Sequence, residues 1–550
     1  MYKDQFEDPI AHFTKVVEKM NADADAKLNA ENAEYTITLK KNETNSLDKM
    51  DGKKYIIGHA PLMYIYNSLN IDKYIKNATQ KFRSKFPLWS IFKNEIMAKI
   101  LKPESKMSAY KRRRLFYDNI RKDKDRFNYE LHDAYRGLSK LTLIDENLQE
   151  YLFDKAKEYL EEIDTSVCYF YSTNYYFEID AEDDLRKKGV SKVKRPNPIV
   201  QMGLLMSKDG IPVKYKIFPG NTNDSLTIRP KLEIARKHKI GRIVVIADKE
   251  LNTSKNIKFQ VDRGDGYIFS QKIRGSNKEF QTYILEEDGY EPFGRKGFKL
   301  KSRVFRRTIT IVETDKTKMV TEIDELQVVF YSPDQAKRSK IKRGEAIKKA
   351  CFLIENPSKY DSSEHFGAKK YIKGIEFKSG SGEILERCKK HLYLDEEKIK
   401  EEEKFDGYYS IISSETNLPP KEIVELYKGL WKTEETFKIT KSVLDVRPMY
   451  LKRDIHIRAH FLICYVGLLI SRILEIELEN KFTTKRIRDS LYSLKIGYAG
   501  KNVYICNHFD EVIKEVTEKM RLQLNIRNWT PEKLRELFSK SKLRSTPMIN

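Results

Sequence analysis

Apolar positions recur along this chain with two different periods, and the switch between them divides it. Up to about residue 160 they return every three or four residues, which predicts helices near 9–20, 61–76, 91–101, 106–121 and 146–162. From Ser166 the pattern shortens to runs of aromatic and β-branched residues. Residues 167–177 (VCYFYSTNYYF), 199–206 and 211–218 read as three strands, the last two joined by the tight turn Lys208-Asp209-Gly210. A helix over 225–238 precedes 242–247 (RIVVIA), an uninterrupted run typical of a strand buried on both faces. A helix at 252–261 and a strand at 267–270 continue the alternation. This β-β-β-α-β-α-β order predicts a meander opening a sheet that becomes parallel.

Between about 275 and 406 the pattern changes to strands at 303–313 and 326–331 followed by a basic helix at 333–351, read as an inserted β-rich module. A strand at 408–412 then leads through Asn417-Leu-Pro-Pro, where prolines suit a helix start, into a helix over 421–448 that Arg447-Pro448 should stop. The next helix, 456–475, is apolar on most sides and so belongs at the centre. The predicted divisions are a helical region (1–160), an α/β core in two parts (161–274 and 407–480), the insertion between them (275–406), and a C-terminal helical region (481–550).

On the 421–448 helix, Ile423, Tyr427, Leu430, Glu434, Phe437 and Lys441 share one stripe. Glu434 and Lys441 therefore stand on the face that should be buried, while Glu425, Lys428, Lys432, Glu435 and Lys438 already keep the opposite face wet. A carboxylate on a packed face needs a cation, a hydrogen-bond network or a metal; an internal ion pair meets that need as well as a metal does. Asp248, at the end of the buried strand, is the second candidate, because ligands of open α/β sheets collect at the carboxyl ends of strands. Its plain alternative is an N-cap for the next helix. Taken together, two hard carboxylates in a basic chain suit Mg²⁺ or Mn²⁺ over a phosphodiester.

Charge sharpens that choice. Lys and Arg number 104 against 81 Asp and Glu, a formal net charge of +23, which fits attraction to a polyanion, with nucleic acid the first candidate. The clusters are Lys111, Arg112, Arg113 and Arg114, the stretch from Lys299 to Arg307, and the helix carrying Lys337 and Arg338. Each could bind phosphate or stay solvated. Five scattered cysteines without C-x-x-C spacing suggest neither a disulfide framework nor a thiolate zinc site, and fit a reducing cytoplasm. The N-terminus lacks an apolar leader core, and the most apolar run, 461–470, is half of the roughly 20 residues a membrane crossing needs. His456 and His460, at i,i+4 without a third ligand, read as structural or phosphate-facing rather than as a zinc site.

These residues resemble the DDE transposases of bacterial insertion sequences, in the branch with a β-rich insertion before the catalytic helix. That branch carries the signature Y-x-x-R-x-x-x-E-x-x-x-x-x-x-K; Tyr427, Glu434 and Lys441 match it in spacing, with Leu430 in place of the arginine. TNYYFE (173–178), SKVKRPNPIVQMGLLM (191–206), DGIP (209–212), FPGNTNDS (218–225), VIADKELN (245–252) and RPMYLKRDIHIRAHFLIC (447–464) are similar to the same family. The resemblance implies an RNase H-like mixed sheet interrupted by the insertion, with Asp248 and Glu434 as the second and third acids of a two-metal site and Tyr427 and Lys441 close to the DNA end. It also implies double-stranded DNA with terminal inverted repeats as partner, a homodimer on paired ends, and a place in the bacterial cytoplasm at the nucleoid.

The first acid is missing. Where relatives read Y-D-x-T-N this chain has Phe170-Tyr171-Ser172-Thr173-Asn174, so the aspartate that bridges both metals falls on Tyr171. A phenol, with an ordinary pKa of about 10, is neutral at cell pH and a poor ligand for a hard cation. Glu178 and Asp180 lie about 23 and 30 Å further along an extended strand, against metal separations of about 4 Å, so only a sharp bend would bring them back. Glu250 stands where glycine usually follows, and Thr433 where isoleucine does. The expected function is transposition with an impaired metal site. The alternatives are a non-cleaving DNA-binding derivative, acting as repressor or dominant-negative partner, and an unrelated RNase H-like nuclease.

Overall fold

A computed structural model describes residues 14–22, 54–117, 129–189, 197–223, 226–227, 242–312, 317–356, 367–376, 390–438, 451–500 and 502–540. The predicted helix at 225–238 lies almost wholly outside these residues. Fifteen strands are described: β1 Lys54–Ile56, β2 Val167–Tyr176, β3 Ile199–Ser207, β4 Pro212–Pro219, β5 Val244–Ala247, β6 Gly266–Gln271, β7 Glu291–Pro292, β8 Lys299–Val312, β9 Lys318–Tyr331, β10 Ile372–Glu376, β11 Lys390–Leu394, β12 Tyr408–Ser413, β13 Lys495–Gly500, β14 Val503–Cys506 and β15 Asn528–Trp529.

Nine of them form one mixed sheet in the order β4-β3-β2-β5-β6-β12-β9-β8-β7. β2, β3 and β4 are the predicted antiparallel meander, and β5 and β6 run parallel to β2. The β-branched run of β5 has a direct consequence. Val245 and Ala247 point into the large core while Val244 and Ile246 enter a second, smaller core on the other face. Burying such side chains is worth about 1.5–3 kcal/mol each, so a polar residue inside this strand would cost the sheet its centre.

The 275–406 stretch is joined to this sheet more closely than an inserted module implies. β12 runs antiparallel to both β6 and β9, so the long β8–β9 hairpin extends the sheet edge. The far part has a core of its own, where the basic helix Pro333–Glu355 sets Ala350 and Leu353 against Tyr371 and Leu392, and a further small cluster gathers Phe280, Ile284, Val329 and Phe405.

The end regions fold together. β1 pairs with β13, which continues through β14 to β15, so residues read as purely helical carry a four-stranded sheet closed by an N-terminal strand. Two predicted helices are also shorter than their periodicity suggests. Residues 61–76 split into Ala60–Ser68 and Ile71–Thr79 because Asn70 takes a left-handed conformation, φ 52°, which Asn tolerates better than most residues. The 106–121 helix ends at Arg112, and the chain turns extended so that Tyr117 donates its N–H to the Ile56 carbonyl at 3.0 Å.

The Asp454–Glu477 helix is long and apolar enough by composition to cross a membrane, which the shorter run 461–470 did not suggest. It lies inside the protein instead: 89% of its most apolar window is buried, and it packs on the helices Ala60–Ser68, Leu88–Leu101 and Leu131–Leu141.

A buried carboxylate joins the helical region to the sheet. Asp145, at the start of Asp145–Leu160, accepts hydrogen bonds from Tyr215 Oη (2.8 Å) and Gln149 Nε2 (2.9 Å). Burial pushes its carboxyl up to about 6 from 3.8, against the lowering effect of those two donors. The folded state therefore holds a proton there that the unfolded chain releases, and stability falls as pH rises from about 4 to about 6. Asp145→Asn is expected to gain on the native chain in urea midpoint across that window; a constant difference between the two would reject this origin.

Candidate active site

β2 and β5 pair in parallel with Val167 beside Val244 and Tyr169 beside Ile246. Two residues further on, the same register sets Tyr171 level with Asp248 just past the end of β5. A carboxylate at 171 would thus stand alongside Asp248; a half-buried phenol stands there instead. β2 pairs with β3 without a break from Cys168 to Tyr176, and the chain bends only beyond it, at Glu178 and Asp180, both of which are exposed.

Asp248 is exposed and caps the short turn Lys249–Leu251, its Oδ1 accepting from the Lys249 N–H at 2.7 Å. The same oxygen accepts from Ser270 Oγ at 2.8 Å. Oδ2 accepts no hydrogen bond among the described residues. Ser270 stands at the carboxyl end of β6, and on the helix that follows β12 the Tyr427 hydroxyl lies 3.3 Å from that of Tyr409 on β12. Burial, chiefly, and the neighbouring Tyr409 hold the Tyr427 phenol far above its ordinary value, so it stays protonated. The ends of β5 and β6 therefore meet at a single carboxylate. Ser270 and Tyr409 also line a cleft of about 610 Å³ with Lys249, Lys272 and Arg274 at its rim.

The helix that carries the predicted stripe is Pro420–Lys438. Ile423, Tyr427 and Leu430 are buried in the smaller core against β5 and β6, so that part of the stripe faces the sheet. Tyr427 is 2% exposed. Its aromatic ring fills core and its hydroxyl faces that of Tyr409. The helix sits very close to β2: Tyr169 Oη donates to the Leu426 carbonyl at 3.2 Å, and a Cβ on Gly429 would fall 1.9 Å from that hydroxyl. The side chain of Glu434 and the whole of Lys441 lie outside the described residues.

The predicted basic contacts separate into two kinds. Lys111 and Arg114 are exposed, as are Lys337 and Arg338 on the Pro333–Glu355 helix. Arg112 is paired with Glu104. Arg113 is 6% exposed, its guanidinium 3.6 Å from the centre of the Tyr110 ring and Nη1 donating to the Tyr110 carbonyl at 2.7 Å. Those two are internal to the fold. The 299–307 cluster is likewise engaged: Lys301 donates to the Glu286 carbonyl at 2.7 Å, Arg303 to Gln327 at 2.8 Å, Arg306 to Asp324 at 3.0 Å and Arg307 to Glu325 at 3.3 Å.

His460 is buried with Cys464 Sγ 3.7 Å from its Nε2, and burial together with Lys99 and Lys106 holds it well below its ordinary value. His456 packs its ring against Tyr135. Among the described residues no three His, Cys, Asp or Glu side chains gather as a metal site. Ser270 and Tyr409 escaped sequence reasoning because nothing in spacing marks them. Ser270's place at the carboxyl end of a predicted strand was the one available signal.

Comparison with known proteins adds a family. The transposase DDE domain model matches residues 186–470, a span that begins after Tyr171 and includes Asp248 and Glu434. None of the curated proteins compared with the chain matches it significantly. Among solved structures, the chain aligns with a piggyBac transposase synaptic complex with hairpin DNA at 10% identity and a TM-score of 0.36, covering 89% of this chain and 87% of that one.

Proposed function

The chain belongs to the transposase DDE domain family, and on that premise we propose that it is a DNA transposase of the insertion-sequence type whose strand-cleavage step is crippled at the first acidic position. The supporting observation is the β2–β5 register, which, continued two residues past its last pair of Tyr169 and Ile246, brings Tyr171 level with Asp248. The sheet order supports an RNase H-like reading, with the meander on one side of the central strand and two parallel strands on the other.

The donors present fit a hard divalent cation in part. Asp248 offers an exposed carboxylate oxygen, and Glu434, two helical turns beyond Tyr427 on the stripe that faces the sheet, is its proposed partner; Tyr171 offers only a neutral phenol. When bound between these two carboxylates, Mg²⁺ or Mn²⁺ would supply stabilisation of phosphate charge and a water of lowered pKa. The chain's own contribution is positional. Ser270 and the Lys249 N–H orient Asp248, and the exposed Lys249 and Lys272 draw a phosphate backbone toward the cleft. With one carboxylate missing, the scissile bond is held poorly in line, at a cost of about 10²-fold or more in rate. The test is nicking of a cognate terminal repeat with Mn²⁺ by the native chain and Asp248→Asn; cleavage independent of Asp248 would reject the site.

The same observation favours a second reading: the chain binds terminal repeats without cutting them and acts as a repressor or as a silent partner in a homodimer at the bacterial nucleoid. Repeat binding with no detectable nicking would distinguish it.

In either reading Lys337 and Arg338 contact DNA phosphates. Replacing both with Ala is expected to lower the slope of log affinity against log salt by about 2. Replacing Arg112, already paired with Glu104, should leave the slope unchanged. Equal slopes for all three proteins would remove the basic helix from the interface.

A further inference from the structure

We propose that Arg307, on the long β8–β9 hairpin, is a positioning residue for Asp248, acting through Asn252. The inference rests on the reading of Asp248 as a metal ligand. Its basis is a set of hydrogen bonds that runs from a buried carboxylate of the hairpin to the turn that begins at Asp248.

The anchor is Glu325 on β9, which is 1% exposed. Its Oε1 accepts from Tyr267 Oη on β6 at 2.7 Å and from Arg307 Nη1 on β8 at 3.3 Å, so the guanidinium is tied to the sheet. The same Nη1 donates to Asn252 Oδ1 at 3.1 Å. A guanidinium only donates and a backbone carbonyl only accepts. The Asn252 amide is therefore fixed in one orientation, its oxygen toward Arg307 and its nitrogen toward Ser270, whose carbonyl accepts from Nδ2 at 3.3 Å.

Ser270 is where the two ends of the turn meet. β5 pairs with β6 as far as Ala247 and Phe269, and one residue later side chains take over from the ladder. The Ser270 hydroxyl donates to Asp248 Oδ1 at 2.8 Å while its carbonyl takes the Asn252 amide. Residues 248–252 are thus clamped to one residue of β6 at their first and last positions, and Arg307 sets the second clamp from the hairpin. Partners of this kind orient metal-binding groups, and their loss typically lowers metal affinity 10–100-fold. An arginine from the stretch between 275 and 406 therefore bears on the geometry of the core's own acid.

The test is Mn²⁺ affinity of the full chain by electron paramagnetic resonance, with thermal melting beside it, for the native protein, Asp248→Asn, Asn252→Ala, Arg307→Ala, the double variant Arg307→Ala with Glu325→Gln, and Arg306→Ala. Arg307→Ala leaves a buried carboxylate without its cation and is expected to melt lower. In the double variant Glu325→Gln removes that charge and keeps an acceptor for Tyr267, so stability returns while the bond to Asn252 does not. Expected are loss of the Asp248-dependent Mn²⁺ in Asp248→Asn, about 10-fold weaker binding in Asn252→Ala, in Arg307→Ala and in the double variant, and native affinity in Arg306→Ala, whose partner is the exposed Asp324. Losing a nearby positive charge would by itself strengthen cation binding, so the expected weakening is opposite in sign to a charge effect. With affinity dependent on Asp248, a native value in Asn252→Ala, recovery along with stability in the double variant, or equal weakening in Arg306→Ala would overturn this inference alone. Affinity indifferent to Asp248→Asn would overturn it together with the reading of the site.

Discussion

Tyr171→Asp should raise Mn²⁺-dependent cleavage of a terminal repeat by about 10²-fold or more over the native chain, with repeat affinity unchanged. The size follows from what a misplaced group costs when reacting atoms must be held in line. The local structure makes the substitution feasible. Tyr171 is half-buried two residues past the last β2–β5 pair, its ring packed in part against the large core, and the exposed Asp248 stands at the matching position past β5. The unbroken β2–β3 ladder holds the backbone in place for either residue. Equal cleavage by the two proteins would show that Tyr171 is not what limits the reaction.

The second large effect is expected at Gly429. Inside a helix, Gly→Ala ordinarily stabilises by about 1 kcal/mol. Here the sign should reverse, because the new methyl would lie 1.9 Å from the Tyr169 hydroxyl and 2.5 Å from its ring carbon Cζ. Overpacking of this kind typically costs 1–3 kcal/mol, and the helix must move off β2 to relieve it. Glu434 is five residues further along that helix. In the Tyr171→Asp background, Gly429→Ala should therefore abolish about 10²-fold of the regained cleavage while DNA affinity persists. Adding Tyr169→Phe removes the nearest atom and should restore part of both stability and rate, despite forfeiting the hydrogen bond to Leu426. A Gly429→Ala protein as stable and active as its parent would mean that the helix does not seat as described.

Much of this arrangement was legible in the residues because it rests on local patterns. The period-2 and β-branched runs from 167 to 270 gave five strands in their observed positions, since each is buried by its own composition. The stripe of Ile423, Tyr427 and Leu430 packs as its spacing implies. What the residues did not reveal was long-range pairing. Nothing in β12 says that it lies between β6 and β9, or in Lys495–Gly500 that it closes on residues 54–56. The surroundings of the basic clusters were illegible for a related reason: charge counts carry no partner, and nothing in the residues says that Arg113 lies over the Tyr110 ring. The surroundings of Asp248 were hidden because side chains brought together from the ends of different strands leave no motif.

The most direct test is a crystal structure of the full chain soaked in Mn²⁺, located by anomalous scattering. Expected is a peak within about 2.2 Å of oxygens from both Asp248 and Glu434, with the Tyr171 side chain beside it and not coordinated. A Mn²⁺ bound to one of these carboxylates while the other points elsewhere would contradict the shared site on which the reading depends.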